Sequence, residues 1–138
     1  MMHYPMTRYE DGYPMTYLRP GWDIYFLDIA RAVAARSSCP RASVGAVIVN
    51  ADHHIVATGY NGAPSGDPHC IDVGCDVQDD HCQRALHAEV NAVVHATGPL
   101  KGSRIYVYGR GVCRECAKVL TAAGVSHAVH RGPGAGAA

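Results

Sequence analysis

Long apolar runs are absent from this chain. Its 138 residues contain no stretch near the ~20 consecutive apolar residues that a membrane-spanning helix needs. The first residues also lack the basic-then-apolar order of an export signal, so a cytoplasmic protein is expected. Charge of one sign is lacking too: twelve Lys and Arg balance twelve Asp and Glu. Gripping a polynucleotide backbone relies on uncompensated cations, which disfavours nucleic acid as a partner. Stacking surface is equally scarce, with one Trp and one Phe, and this argues against a nonspecific editor of single strands. A small-molecule substrate is left as the default.

What the chain does have is sulfur and imidazole. Six cysteines and nine histidines stand in a sequence with no export signal. A reducing compartment keeps thiols free, so metal ligation is the more natural use of such residues than disulfides. The length is that of one domain, enough to bury a core without staples.

Hydrophobic spacing predicts the elements. Residues Met1 to Arg19 show no sustained period and are expected to form a flexible arm. From Pro20, a residue tolerated at a helix start, Trp22, Phe26, Ile29, Ala30 and Val33 mark one apolar helix face through about Ala35. Ser37-Ser38-Cys39-Pro40 should end that helix, because proline disfavours helical geometry in the residue before it. Val44 to Val49 reads as a strand buried on both faces, and His54 to Tyr60 as its hairpin partner across the turn Asn50 to His53. A Gly/Pro-rich stretch at Asn61 then opens an irregular segment reaching about Cys82, and loops of that length are usually functional or pinned by something.

Helical spacing returns over Gln83–Val94, with Leu86, Val90, Val93 and Val94 expected on one side. Arg104–Tyr108 is a β-branched and aromatic strand, and Cys113–Ala123 a helix with Cys116, Val119 and Leu120 inward and Gly124 as its stop. Val125–His130 is the last strand, ahead of a Gly-rich tail expected to be disordered. Alternating helices and strands imply one mixed sheet with helices on its faces, an α/β fold. The expected division is an arm at 1–19, a domain at 20–131 and a tail at 132–138.

Two short pieces carry the chemistry: His87-Ala88-Glu89 and Cys113-Arg114-Glu115-Cys116. The cysteines, three apart, share a helical face, and a helix N-terminus should favour the thiolates a metal needs. One His and two Cys leave a tetrahedral position open, which is the pattern of a catalytic zinc site. Zinc lowers the pKa of a bound water from about 15.7 toward ~7. Glu89 can reach the same cavity without ligating, as the acid/base group that moves protons. H-x-E followed by C-x-x-C is the known signature of zinc-dependent nucleobase deaminases. A closed zinc site or a redox C-x-x-C is the competing reading, with Glu89 an ordinary surface carboxylate.

The chain also resembles a family, the deoxycytidylate (dCMP) deaminases of the cytidine deaminase-like fold, from about residue 19 to 130. The matching stretches include Arg19 to Phe26, Ser38 to Arg41, Val44 to Val49, Gly59 to Gly66, His69-Cys70, Gly74-Cys75, His81-Cys82 and His87 to Ala92. The resemblance implies a three-layer α/β/α fold with a mixed central sheet, hydrolysis of dCMP to dUMP and ammonia, and homo-oligomers from dimer to hexamer. It implies that Asn61 contacts the sugar and that the Ala88 backbone amide holds a base oxygen. Gly59 and Gly62, flanking Tyr60-Asn61, suit close backbone approach to a ligand under this resemblance, while the residues alone favour a plain hairpin exit turn. Some members carry a second, structural zinc; Cys39 and Cys70 match its ligands, with Cys75 and Cys82 as completion and His69 and His81 in reserve. The alternative there is a set of free thiols.

The chain departs from the family in the loop before Cys113, which lacks the usual proline and is one residue longer. Members offer a backbone carbonyl from this loop to the exocyclic amine, so Gly111 is a substrate-contact candidate, and Arg110 is a candidate for a phosphate or an altered base, with a solvent-exposed loop cation as its alternative. Arg41, Ser65 and Lys101 are further options for a phosphate. His95-Ala96-Thr97-Gly98 lacks the arginine of regulated members, and only Arg131 to Ala138 follows the last strand. The competing functions are a same-fold deaminase acting on a modified cytosine nucleotide or another base, and a non-catalytic zinc-stabilised binding subunit.

Overall fold

The structure, a computed structural model, describes residues 19–132; the arm and tail expected from sequence lie outside them apart from Arg19 and Gly132. Helix α1 (Trp22–Ala34) leads into β1 (Gly45–Val49) and β2 (Ile55–Tyr60). A short helix α2 (Cys70–Val73) and two-residue strands β3 (Val77–Gln78) and β4 (His81–Cys82) follow. Then come α3 (Ala88–Val94), β5 (Arg104–Tyr108), α4 (Arg114–Ala123) and β6 (His127–Arg131).

The main sheet runs β2-β1-β5-β6. β1 is antiparallel to both neighbours, with Val47 opposite Thr58 on one side and Tyr106 on the other. β5 and β6 are parallel, joined by the α4 crossover that a parallel pair requires. All five residues of β1 are buried, as their continuous apolar run predicts. Alternation along the strands sends Val47, Val49 and Tyr106 against Phe26, Leu27 and Ala30 of α1. Ala46, Ile48, Ile105 and Val107 point the other way, onto Ala88 and Ala92 of α3 and Leu120 of α4. The result is the expected three-layer α/β/α arrangement around a mixed sheet.

Two glycines allow the layers to meet this closely. A Cβ on Gly45 would run into the Ala30 carbonyl, and one on Gly59 into the Ala88 carbonyl and the Ala92 amide. Gly59 therefore serves helix packing and not ligand approach, and a Cβ on Gly62 would press on the Ser38 hydroxyl. This corrects the reading of the pair as ligand-facing.

Other expectations also shift. The inward face of α1 is Phe26, Leu27, Ala30 and Ala34, while Trp22 is 47% exposed and stacks on His53 with ring centroids 4.1 Å apart. Spacing alone put Trp22 in the core; the helix is rotated so that its small residues meet the sheet. α3 starts at Ala88, later than predicted, and buries Ala88, Glu89, Asn91 and Ala92 while leaving Val94 65% exposed. Its buried face is chosen by close approach to Gly59, which favours alanines over valines. In α4, Cys116 and Leu120 are buried but Val119 is exposed. The segment at 61–82, expected to be irregular, contains α2 and the small β3-β4 sheet, paired Val77 to Cys82 and Gln78 to His81. The last strand starts at His127, two residues later than expected.

Candidate active site and metal clusters

His87 is the N-cap of α3 and Cys113 the N-cap of α4, so both helix starts converge beyond the ends of β2 and β5. His87 Nδ1 lies 3.1 Å from Cys116 Sγ and 3.5 Å from Cys113 Sγ. Metal arms of about 2.0–2.1 Å to nitrogen and ~2.3 Å to sulfur, at a tetrahedral angle, would put such atoms about 3.5 Å apart. The three donor atoms thus fit one zinc ion, and their types are those zinc prefers. Cys113 Sγ also accepts from the Cys116 backbone N–H at 3.4 Å, which steadies the turn holding both sulfurs.

Glu89 follows on the first turn of α3 and is only 4% exposed. Its carboxylate neighbours the Cys116 thiol and borders a cavity of about 200 Å³ shared with His87, Ala88 and Cys113. Burial pushes the Cys116 thiol up, and the Glu89 carboxylate and Cys113 push it further the same way. The expectation that a helix N-terminus lowers the thiols is therefore overturned at Cys116. Desolvation beside an anion outweighs a partial helix charge, and only a cation in the cluster reverses the balance.

The second cluster gathers Cys39, Cys70, Cys75 and Cys82, whose sulfurs all lie within 4.8 Å of one another. Their geometry suits a closed four-thiolate site, and all six cysteines of the chain are free thiols. The Cys70 and Cys82 sulfurs are 3.5 Å apart. Burial, then the neighbouring thiols, push Cys70 up to about 12. For Cys82 burial acts upward as well, but the backbone amides of Ala85, Arg84 and Asp76 and the Cys70 S–H outweigh it and hold it at about 6. The two thiols are thus pushed in opposite directions. The histidines kept in reserve stay outside: His69 Nδ1 is engaged with the Ser38 hydroxyl at 2.7 Å, and His81 is exposed.

The remaining sequence-derived residues divide by location. Asn61, Ala88, Arg110 and Gly111 all line the cavity. The Asn61 amide is engaged by the main chain: Nδ2 donates to the Ala42 carbonyl at 2.6 Å and Oδ1 accepts from the Val44 N–H at 2.9 Å. Ala88 opens α3, where backbone N–H groups have no intrahelical partner, so its amide is free to meet an acceptor. The loop of Arg110 and Gly111 is rooted on β6, where His130 Nε2 donates to the Gly109 carbonyl at 2.8 Å and the Gly109 N–H to that of Arg131 at 3.0 Å. Arg41 lines the cavity, whereas Lys101 lies beside Gly124 at the opposite end of β5, which removes it as a phosphate option.

Sequence reasoning missed Asn91, Asp80 and His130. Asn91 is buried in α3 and donates to the Tyr60 carbonyl at 2.8 Å, tying the helix of Glu89 to the end of β2, one residue before Asn61. Its signal was visible as a polar residue on a helix face facing the sheet. Asp80 and His130 gave no such signal, because their partners are remote in sequence.

Comparison with known proteins agrees with this geometry. The chain is 44% identical over 110 residues to ComE operon protein 2 of Bacillus subtilis, covering 78% of this chain and 57% of that protein's length. It is 39% identical over 124 residues to the deoxycytidylate deaminase of Mycobacterium phage D29, covering 81% of this chain and 95% of the relative. Among solved structures, the dCMP deaminase of cyanophage S-TIM5 in complex with dCMP and dUMP superposes with a TM-score of 0.69 at 29% identity, covering 84% of this chain and 85% of that one. The profile described as the cytidine and deoxycytidylate deaminase zinc-binding region matches residues 20–131, which hold the three-layer fold and both clusters. On that match the chain belongs to the family of cytidine and deoxycytidylate deaminases with this zinc-binding region.

Proposed function

We propose that the protein hydrolyses dCMP to dUMP and ammonia. The observation that carries this reading is a buried carboxylate, Glu89, beside a three-donor cluster that opens onto a cavity. His87, Cys113 and Cys116 would hold the catalytic zinc, which would supply a polarised water with a pKa of ~7. Glu89 would take one proton of the attacking water and deliver it to N3 of the cytosine ring as oxygen adds to C4. It would then take the proton of the new C4 hydroxyl and hand it to the amine, which departs as ammonia while C4 becomes a carbonyl. Burial keeps Glu89 out of competition with bulk water. The Ala88 amide holds the base oxygen at the start of α3, Asn61 faces the sugar, and Gly111 and Arg110 border the exocyclic amine. Names borne by the relatives support dCMP, since one is a phage deoxycytidylate deaminase and another holds dCMP and dUMP.

Cys39, Cys70, Cys75 and Cys82 hold a second, structural zinc. It pins a segment whose α2 and β3-β4 pieces have little apolar core of their own. The protein works in the cytoplasm, where six free thiols persist, and as a homo-oligomer, for which exposed Ile71, Val73 and Val94 offer apolar contact surface. No helix among the described residues is long and apolar enough to cross a membrane.

Ammonia release from purified, zinc-loaded protein tests the reading against dCMP, CMP, dCTP, 5-substituted dCMP and purine nucleotides. Turnover of dCMP above the others is expected; turnover of another base alone would overturn it. Retained biological activity in Glu89→Ala would favour the non-catalytic subunit instead. Metal analysis should give two zinc ions per chain, and a single one removes the structural site.

A further inference from the structure

The four-cysteine segment also forms one wall of the reaction cavity. Asp80 lines it from the β3-β4 turn, His81 and Cys82 from β4, and Cys39 and Arg41 from the loop that leads into β1. Arg41 Nη2 donates to Asp80 Oδ1 at 3.1 Å, joining the two loops across that wall. From Cys82 the chain runs through Ala85 and Leu86, which line the same cavity, to the metal donor His87. Leu86 is bridged to Gly62 by backbone hydrogen bonds of 2.8 and 3.2 Å. One short run of chain therefore connects the closed cluster to the open one.

The four sulfurs of the closed cluster are not equally placed. Cys39 and Cys70 are buried and Cys75 and Cys82 half-buried, and of the half-buried two only Cys82 lines the cavity. A small polar molecule in the cavity can therefore reach the cluster at Cys82. Cys70 Sγ lies 3.5 Å from Cys82 Sγ. A disulfide holds its sulfurs ~2.05 Å apart, so this pair would have to close by about 1.5 Å. Cys70 stands on the four-residue helix α2 and Cys82 on the two-residue strand β4, neither of them part of the main sheet. Such weakly packed pieces shift by that distance more readily than core elements do. The open cluster is held differently, because α4 carries both of its cysteines and is fixed to the sheet by Leu120.

We propose that Cys82 and Cys70 are a site of oxidative modification, at which hydrogen peroxide entering through the reaction cavity joins the two sulfurs in a disulfide and dismantles the four-cysteine site. The inference rests on the reading of these cysteines as ligands of a zinc ion. Cys82, a thiolate while it is a ligand, attacks one peroxide oxygen; the O–O bond breaks, hydroxide leaves and Cys82 becomes a sulfenic acid. The Cys70 thiolate then attacks that sulfur, the S–S bond forms as the S–O bond breaks, and a second hydroxide leaves. Two electrons have passed from the sulfurs to the peroxide oxygens, and protons from solvent turn both hydroxides into water. Cys39 and Cys75 alone are too few donors to close a tetrahedral site, so the zinc is released. The wall at Asp80 to Cys82 loses its support, and the run that leads to His87 loses it too.

The test treats the full-length, zinc-loaded protein with hydrogen peroxide. Zinc release is followed with a chromophoric chelator, thiol content after denaturation, the cross-link by peptide mass mapping, and turnover on dCMP. Two of the six free thiols should be lost as about one zinc per chain leaves, with Cys70 and Cys82 recovered in one cross-linked product. Turnover should fall about 10- to 100-fold, and a dithiol reductant with added zinc should restore it. A cyclic diketone that traps sulfenic acids should label Cys82 first. Saturating dUMP should slow the oxidation about 5- to 10-fold by filling the route to Cys82. A Cys113–Cys116 disulfide in place of the Cys70–Cys82 one, zinc loss without a disulfide, or no thiol loss at peroxide levels that oxidise a free cysteine peptide would each overturn the site. First labelling at Cys75, or unslowed oxidation with dUMP shown by calorimetry to be bound, would overturn entry through the cavity. If the untreated protein carries no zinc on the four cysteines, the structural-zinc reading fails and the mapped disulfide alone decides the modification site. If dUMP does not bind, the dCMP reading fails while the trap and the map still decide it.

Discussion

The two cysteine-containing clusters present metal-binding donors on different supports. The His87, Cys113 and Cys116 cluster stands on helix starts that are fastened to the sheet by apolar packing, Ala88 and Ala92 on one helix and Leu120 on the other. Three donors leave a tetrahedral position facing a cavity. The Cys39, Cys70, Cys75 and Cys82 cluster is closed and stands on a four-residue helix and two-residue strands. Its surroundings are held by the cluster more than the cluster by them. A core-supported site can remain open and reactive, whereas a site that must create its own support uses all its positions for ligands.

The largest effect expected from this contrast is on chemistry without stability. Glu89→Gln should reduce turnover about 10²–10⁴-fold while zinc content and melting temperature stay near wild type. An equal fall in melting temperature would mean that Glu89 is a structural group. The opposite pattern is expected in the closed cluster. Cys82→Ser should lose one zinc per chain and lower the melting temperature by about 10 °C, equivalent to ~2–3 kcal/mol in a chain of this size. Unchanged melting temperature with both metals retained would erase the distinction between the sites.

A packing change should reach the open site and leave the closed one alone. Gly59→Ala sets a methyl against the α3 backbone, costs about 1–3 kcal/mol, and should weaken activity by displacing His87 and Glu89 together. Zinc in the four-cysteine cluster, measured in the same sample, should be retained. The smallest effect is one of protons. Cys70, Cys75 and Cys116 are all raised above the ordinary thiol value of 9.0, so they are protonated at pH 7 and must release protons as zinc enters. Zinc affinity should therefore fall as pH falls. Cys82, held at about 6, runs the other way in zinc-free protein: its thiolate stabilises the fold fully above pH 9 and loses that contribution as pH drops through 6. Proton release on zinc titration, compared at two buffer ionisation enthalpies, checks the count. A zinc affinity that does not change between pH 6 and 8 would contradict the raised thiols.

Much of this was legible in the residues themselves. Strand β1 announced itself by an unbroken apolar run, and β5 matched its predicted bounds because β-branched and aromatic residues end abruptly at Gly109. The proposed catalytic quartet was legible because His87 and Glu89, and Cys113 and Cys116, are each close in sequence. Helix faces were read less well. Periodicity locates an apolar stripe but not the rotation of the helix, so Trp22, Val94 and Val119 were assigned inward and are exposed. Contacts between distant loops left no trace at all. Arg41 and Asp80 are 39 residues apart, and His130 reaches Gly109 across 21.

The sequence by itself determined the candidates: which donors a metal would find, which carboxylate is proposed to move protons, and that two thiol-rich groups exist. Tertiary structure alone decided that the four-cysteine segment walls the reaction cavity, that Asn61 holds the loop beside Arg41, and that Cys116 is raised and not lowered. The physical reason is the same in each case. Ligand type and spacing are local properties of the chain, while cavity walls, desolvation and ion-pair partners depend on which remote segments the packed sheet brings together.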